Sequence, residues 1–169
     1  MIVLEEGELR FEFTDANDGY TFDETDSSNP NCHGLSHCMK AVDFRVEFND
    51  KYLFVEIKDP PVPSGATRST RYDSASDYNE LIKSLVGKFR DSFLYHWAEK
   101  KRQKPISYFC LINLDSALTL KLLNDLRRQL PEHGPANGRW KRSLVRGCAV
   151  ANVSDWNAAF PKWQITRLS

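Results

Sequence analysis

No apolar run in this 169-residue chain approaches the roughly 18 residues that span a bilayer. A helical membrane protein is therefore not expected. The opening residues, MIVLEEGELR, lack the basic start, apolar stretch and small-residue cleavage site of a signal peptide. The expected compartment is the cytoplasm. Cysteine is scarce: Cys32, Cys38, Cys110 and Cys148 are too few for a disulfide scaffold, and in a cytoplasmic chain they are expected to be reduced. Cys110 and Cys148 lie in apolar runs and are expected in the core. There is no internal repeat, no low-complexity tract and no composition break that would divide the chain. Residues 1–169 are expected to form one domain. Hydrophobic residues make up 41% and aromatics 12%, which excludes disorder and supplies a real core.

Net charge is also lacking, but only in the sum. Residues 1–59 hold 14 acidic and 5 basic side chains, whereas residues 60–169 hold 9 acidic and 18 basic. An acidic part that holds cations beside a basic part that attracts phosphate would suit a nucleic-acid enzyme. Two segments that neutralise each other across a surface would give the same numbers.

The stretch 41–59, AVDFRVEFNDKYLFVEIKD, reads as two strands joined by Asn49-Asp50, a pair suited to a two-residue hairpin loop. In that register Phe48 faces Lys51, Val46 faces Leu53, Phe44 faces Val55 and Asp43 faces Glu56. A three-residue loop would mix the apolar face. One face then carries Phe44, Val46, Phe48, Leu53, Val55 and Ile57 and should pack on a core. The other carries Asp43, Arg45, Glu47, Tyr52, Phe54, Glu56 and Lys58. Directly opposed side chains stand roughly 4.5–5.5 Å apart at Cβ, so Asp43 against Glu56 is a local cost. A divalent cation held by hard oxygen ligands would remove it. So, in part, would diagonal ion pairs, Asp43 with Lys58 and Arg45 with Glu56, on a solvated face.

Asp43, followed thirteen residues later by Glu56-Ile57-Lys58 on an adjacent strand, resembles the PD-(D/E)XK nuclease superfamily. Val42 stands where the motif's name has proline, a departure that many members share. The resemblance covers about residues 40–155. It implies an α/β, restriction-endonuclease-like mixed sheet flanked by helices. It implies a phosphodiester hydrolase, acting on DNA by family frequency, with Mg2+ or Mn2+ held by Asp43, Glu56 and the Ile57 carbonyl. By the same resemblance Lys58 activates the attacking water, and Lys88, in the run KFRDS on the following helix, reaches toward the site. Partners implied are nucleic acid, no membrane, and either a second copy of the chain or a larger protein such as a helicase or methyltransferase.

The rest of the chain places these residues. Residues 2–13 read as strand, Gly-centred turn, strand, and Tyr20-Thr21-Phe22 as a short strand. No helix precedes the hairpin, so an upstream metal ligand is left open among Glu8, Glu12 and the histidines. Residues 76–101 form the strongest helix, capped by Ser76, with the stripe Leu81, Ile82, Leu85, Val86, Phe89, Phe93, Leu94 and Trp97. Residues 106–114 and 144–153 read as buried strands and 116–130 as a second helix, so strand–helix–strand units favour a parallel part of a mixed sheet. The end reads as a short helix and an extended tail. Arg68 and Arg71 in the loop 60–75, and Arg139, Lys141 and Arg142 around Trp140, are candidate nucleic-acid contacts. The loop with Arg68 and Arg71 is equally an ordinary surface loop. Cys32, His33, His37 and Cys38 offer four zinc ligands in seven residues, but the spacing fits no common zinc module. A zinc-binding interaction domain, and a catalytically inactive nucleic-acid-binding or assembly module on the nuclease fold, stand as alternatives to the enzyme.

Overall fold

A computed structural model describes residues 1–58, 72, 74–99, 104–134, 138–139 and 143–168. The chain opens with two short strands, β1 (Ile2–Glu6) and β2 (Leu9–Phe13), paired antiparallel with Glu6 opposite Leu9. Gly7 makes that tight turn at φ +56, in the left-handed region that favours glycine. β3 (Asp18–Thr21) follows, then the hairpin of β4 (Phe44–Glu47) and β5 (Tyr52–Lys58). The hairpin has the two-residue register: Phe44 faces Val55, Val46 faces Leu53, and the Phe48 N–H donates to Lys51 O at 2.9 Å.

The helix α1 (Ala75–Ala98) leads to β6 (Ile106–Ile112), and α2 (Ser116–Gln129) leads to β7 (Gly147–Ala151). The five strands lie in the order β3-β4-β5-β6-β7. The first three are antiparallel neighbours, while β5, β6 and β7 are parallel. The cap of α1 is Ser74, two residues before the expected Ser76, because the Ser74 side chain accepts from the Asp77 N–H. Asp115 and Asn152 cap α2 and the short α3 (Val153–Ala159) in the same way.

α1 and α2 cover one face of this sheet, and a second sheet together with the short helix α3 covers the other. The tail is a strand, β8 (Trp163–Arg167), which pairs antiparallel with β2 to give the three-stranded sheet β1-β2-β8. The cause is period-two alternation. Leu9, Phe11 and Phe13 on β2, with Trp163 and Ile165 on β8, make an apolar face that must be buried. It packs with Trp156 of α3 against Phe44, Val46, Leu53, Val55, Phe109 and Leu111. The alternate residues Tyr52, Phe54, Tyr108, Cys110 and Ile112 face Leu85, Phe89, Leu122 and Leu126 of the helices. Each such Phe or Leu contributes about 1.5–3 kcal/mol on burial.

The α1 stripe also departs from expectation at its end. Leu94 and Trp97 are 54% and 64% exposed, and Ser92 and His96 are buried instead. At about 100° per residue, His96 lies only about 20° around the helix from buried Phe89, whereas Leu94 lies about 140° away. All four cysteines are free, with Cys110 and Cys148 in the core. Among the described residues no helix is long and apolar enough to cross a membrane.

Candidate active site

β3 and β5 run in the same direction, so their carboxyl ends lie at the same end of the sheet. Asp43 and Glu56 meet there, with Lys58 two residues on along β5. In an open α/β sheet this is the end at which ligands are held. Asp43 directly precedes β4, and its Oδ2 accepts from the Ile57 N–H at 2.5 Å. Glu56 is fully buried and Asp43 nearly so.

Two ammonium groups face these carboxylates. Lys88 Nζ, from the middle of α1, lies 3.0 Å from Asp43 Oδ1 and 2.8 Å from Glu56 Oε1. Lys58 Nζ lies 2.8 Å from the same Glu56 oxygen. Lys88 donates a hydrogen bond to Asp43. Both contacts to Glu56 lie off hydrogen-bond angles and act through charge. Glu56 Oε2 is buried with no hydrogen-bond partner among the described residues. Burial first, then the Asp43 charge, pushes the Glu56 carboxyl above its ordinary range, and the two lysines only partly offset this. Burial pulls the Lys88 ammonium down, but the charges of Glu56 and Asp43 and the hydrogen bond to Asp43 outweigh it and raise the group overall.

α1 also fixes the backbone that carries Asp43. Asp91 Oδ2 accepts from the Lys40 N–H and the buried Ser92 Oγ from the Val42 N–H, each at 2.9 Å. The Asp43 carbonyl accepts from the Phe22 N–H at 2.7 Å, which ties the residues after β3 to the site.

Two further carboxylates border the site, and sequence reasoning missed both. Asp23 shares a hydrogen bond with Asp43 and is pushed up to about 7, by burial first and then by the Asp43 charge and that bond. Glu6, at the end of β1, is also raised, by burial and then by Asp43. The signal for Asp23 was its place one residue after a short strand that could pair beside Asp43. Glu8 and Glu12, the acidic residues considered upstream, are elsewhere: Glu8 is exposed beside the first turn, and Glu12 pairs with Arg10 on β2.

Other expected residues are not brought to this place. Arg45 does not pair with Glu56. It is buried beneath the end of α1, paired with Glu99, bonded to Tyr20 Oη and stacked on Tyr20, Phe22 and Tyr52. Arg139 is exposed on the loop that leads into β7. That loop rejoins the sheet at the end away from Glu56, where Arg146 N donates to Ile106 O. Arg68, Arg71, Lys141 and Arg142 lie outside the described residues. His33 is a loop anchor: its Nδ1 accepts from the Leu35 N–H, and its ring packs on Phe22 and Tyr95.

Among the described residues no three His, Cys, Asp or Glu side chains are gathered so as to hold a metal ion, either in the Cys32–Cys38 loop or at the carboxylates. The donors at Asp43 and Glu56 nevertheless fit a hard divalent cation. Both are buried carboxylates, and Glu56 Oε2 has an unused acceptor. No protein-family model, curated protein or solved structure matches the chain.

Proposed function

We propose that this chain is a metal-dependent phosphodiesterase of the PD-(D/E)XK type, with DNA as the substrate that the resemblance favours. The observation that carries the reading is the pair of buried, opposed carboxylates, Asp43 and Glu56, with Lys58 and Lys88 within 3.0 Å of them. Buried like charges cost stability, and such costs concentrate at functional sites. The antiparallel hairpin followed by parallel strand–helix–strand units supports a restriction-endonuclease-like fold.

Asp43 and Glu56, with the Ile57 carbonyl by resemblance, would hold Mg2+ or Mn2+. A bound ion of this kind polarises a phosphoryl oxygen and lowers the pKa of a bound water. The chain's own groups do the rest. The Ile57 N–H fixes one Asp43 oxygen, so the other faces Lys88. Lys58, on the more exposed side, can donate to an attacking water or to a phosphate oxygen. Asp23 can hold a proton near neutral pH beside Asp43.

The test is nicking of supercoiled plasmid by the wild type and by Asp43→Asn, with and without manganese. Cutting that needs manganese and is lost in the variant supports the reading. Equal cutting by both proteins would end it. A second reading, a non-catalytic nucleic-acid-binding or assembly module, is favoured by one observation: the two lysines already neutralise the two carboxylates. It predicts no cutting and no manganese binding by either protein.

A further inference from the structure

Lys88 occupies the position between the two carboxylates. Its ammonium touches Asp43 Oδ1 at 3.0 Å and Glu56 Oε1 at 2.8 Å, the oxygens that a shared cation would need. Asp43 Oδ2 is already taken by the Ile57 N–H. Lys58 cannot serve the same purpose, because its only carboxylate contact among the described residues is Glu56. The Lys88 side chain is 18% exposed, so it has a path to solvent. α1 is held independently at this level by Asp91 and Ser92, so the helix need not move when the lysine does.

We propose that Lys88 is a resident counter-ion, which keeps Asp43 and Glu56 together in the metal-free protein and must swing out for a divalent cation to enter. This rests on the metal-site reading above. The displaced ammonium, still tethered to α1, is then free to meet a phosphate oxygen of the substrate. One side chain thereby links metal occupancy to substrate binding. A lysine that merely supports the ligands makes the opposite prediction, since its removal would weaken metal binding.

The experiment is manganese calorimetry, with thermal unfolding with and without manganese, on wild type, Lys88→Met, Lys88→Gln and Asp43→Asn. The expected result has three parts. Wild type binds and Asp43→Asn does not. Both Lys88 variants bind about tenfold more tightly than wild type, about 1.4 kcal/mol. Their melting temperatures are lower than wild type without manganese and rise further when it is added. If Lys88→Met folds only with manganese present, that is the same sign in stronger form, and Lys88→Gln supplies the affinity. If wild type binds, Asp43→Asn does not, and the Lys88 variants bind equally or more weakly, the counter-ion role is overturned while the metal site survives. If Asp43→Asn binds like wild type, or no protein binds, the metal-site reading fails and the counter-ion role falls with it.

Discussion

Glu56→Gln should make the metal-free protein more stable, even though it removes a charge that two lysines face. The reasoning starts from the direction of the Glu56 shift. Its carboxyl is held above the ordinary range by burial first and by Asp43 second, so the folded state disfavours the charged form despite Lys58 and Lys88. A group raised in this way contributes stability below its unfolded value of 4.5 and loses it as pH rises through the folded value. Toward pH 7 the wild type carries more of this cost, and the neutral amide carries none of it. Lys88 keeps Asp43 as a partner, and Lys58, 29% exposed, can turn to water. The amide oxygen can face the two lysines, which leaves its NH2 at the unpartnered Oε2 position and keeps the gain small. Removing one partner of a buried ion pair is costly where it strands the other charge; here Lys88 retains Asp43 and Lys58 reaches solvent, so relief of the burial cost should win, by about 1–2 kcal/mol. At this chain length that is about 2–8 °C in melting temperature. Urea unfolding with a chelator present, at pH 7 and again at pH 4, measures it. The gain should be largest at pH 7 and shrink at pH 4, where the wild-type carboxyl takes its proton. A variant that is less stable by 1 kcal/mol or more, to the same extent at both pH values, would show that the two ammoniums anchor the carboxylate. The reasoning would then be refuted.

Asp23 should titrate near pH 7. Its raised value means that stability falls as pH climbs from about 4 toward 7. In Asp23→Asn that fall should flatten in a series of urea midpoints, while an unchanged slope would rule Asp23 out as its source. Phe11→Ala should cost about 3–5 kcal/mol, because Phe11 is fully buried against Phe44 and Trp156. A loss below 1 kcal/mol would mean that the second sheet is not part of the cooperative core.

Much of the site was legible because it is local. Asn49-Asp50 and the alternation on either side of it fix the hairpin register, and the register alone sets Asp43 opposite Glu56. Helix spacing put Lys88 beside the Leu85 and Phe89 stripe, which suffices to aim it at the sheet. What was not legible is set by distant pairings. The alternation in residues 9–13 announces an apolar face but not what covers it, and its partner β8 is about 150 residues away. Asp23 and Glu6 reach the site only because β3 pairs with β4 and the second sheet lies across the first. The stripe at the end of α1 was misjudged because Leu94 and Trp97 are apolar, whereas position around the helix buries Ser92 and His96.

The pairing of β2 with β8 has a consequence for the order in which the molecule can be completed. On a ribosome the strands of the five-stranded sheet, up to Ala151, emerge before Trp163–Arg167 does. Until then Phe44, Val46, Leu53 and Val55 have only part of their cover, and β2 has a free edge. Joining residue 9 to residue 167 closes a loop of about 158 residues, and contacts of such separation form slowly. Glu6 lies in the sheet that this closure completes, whereas Asp23 follows β3 of the five-stranded sheet, so the two sides of the acidic border are secured by different pairings. A nascent chain would thus hold the hairpin with Asp43 and Glu56 early, yet complete the sheet across from it only when β8 docks.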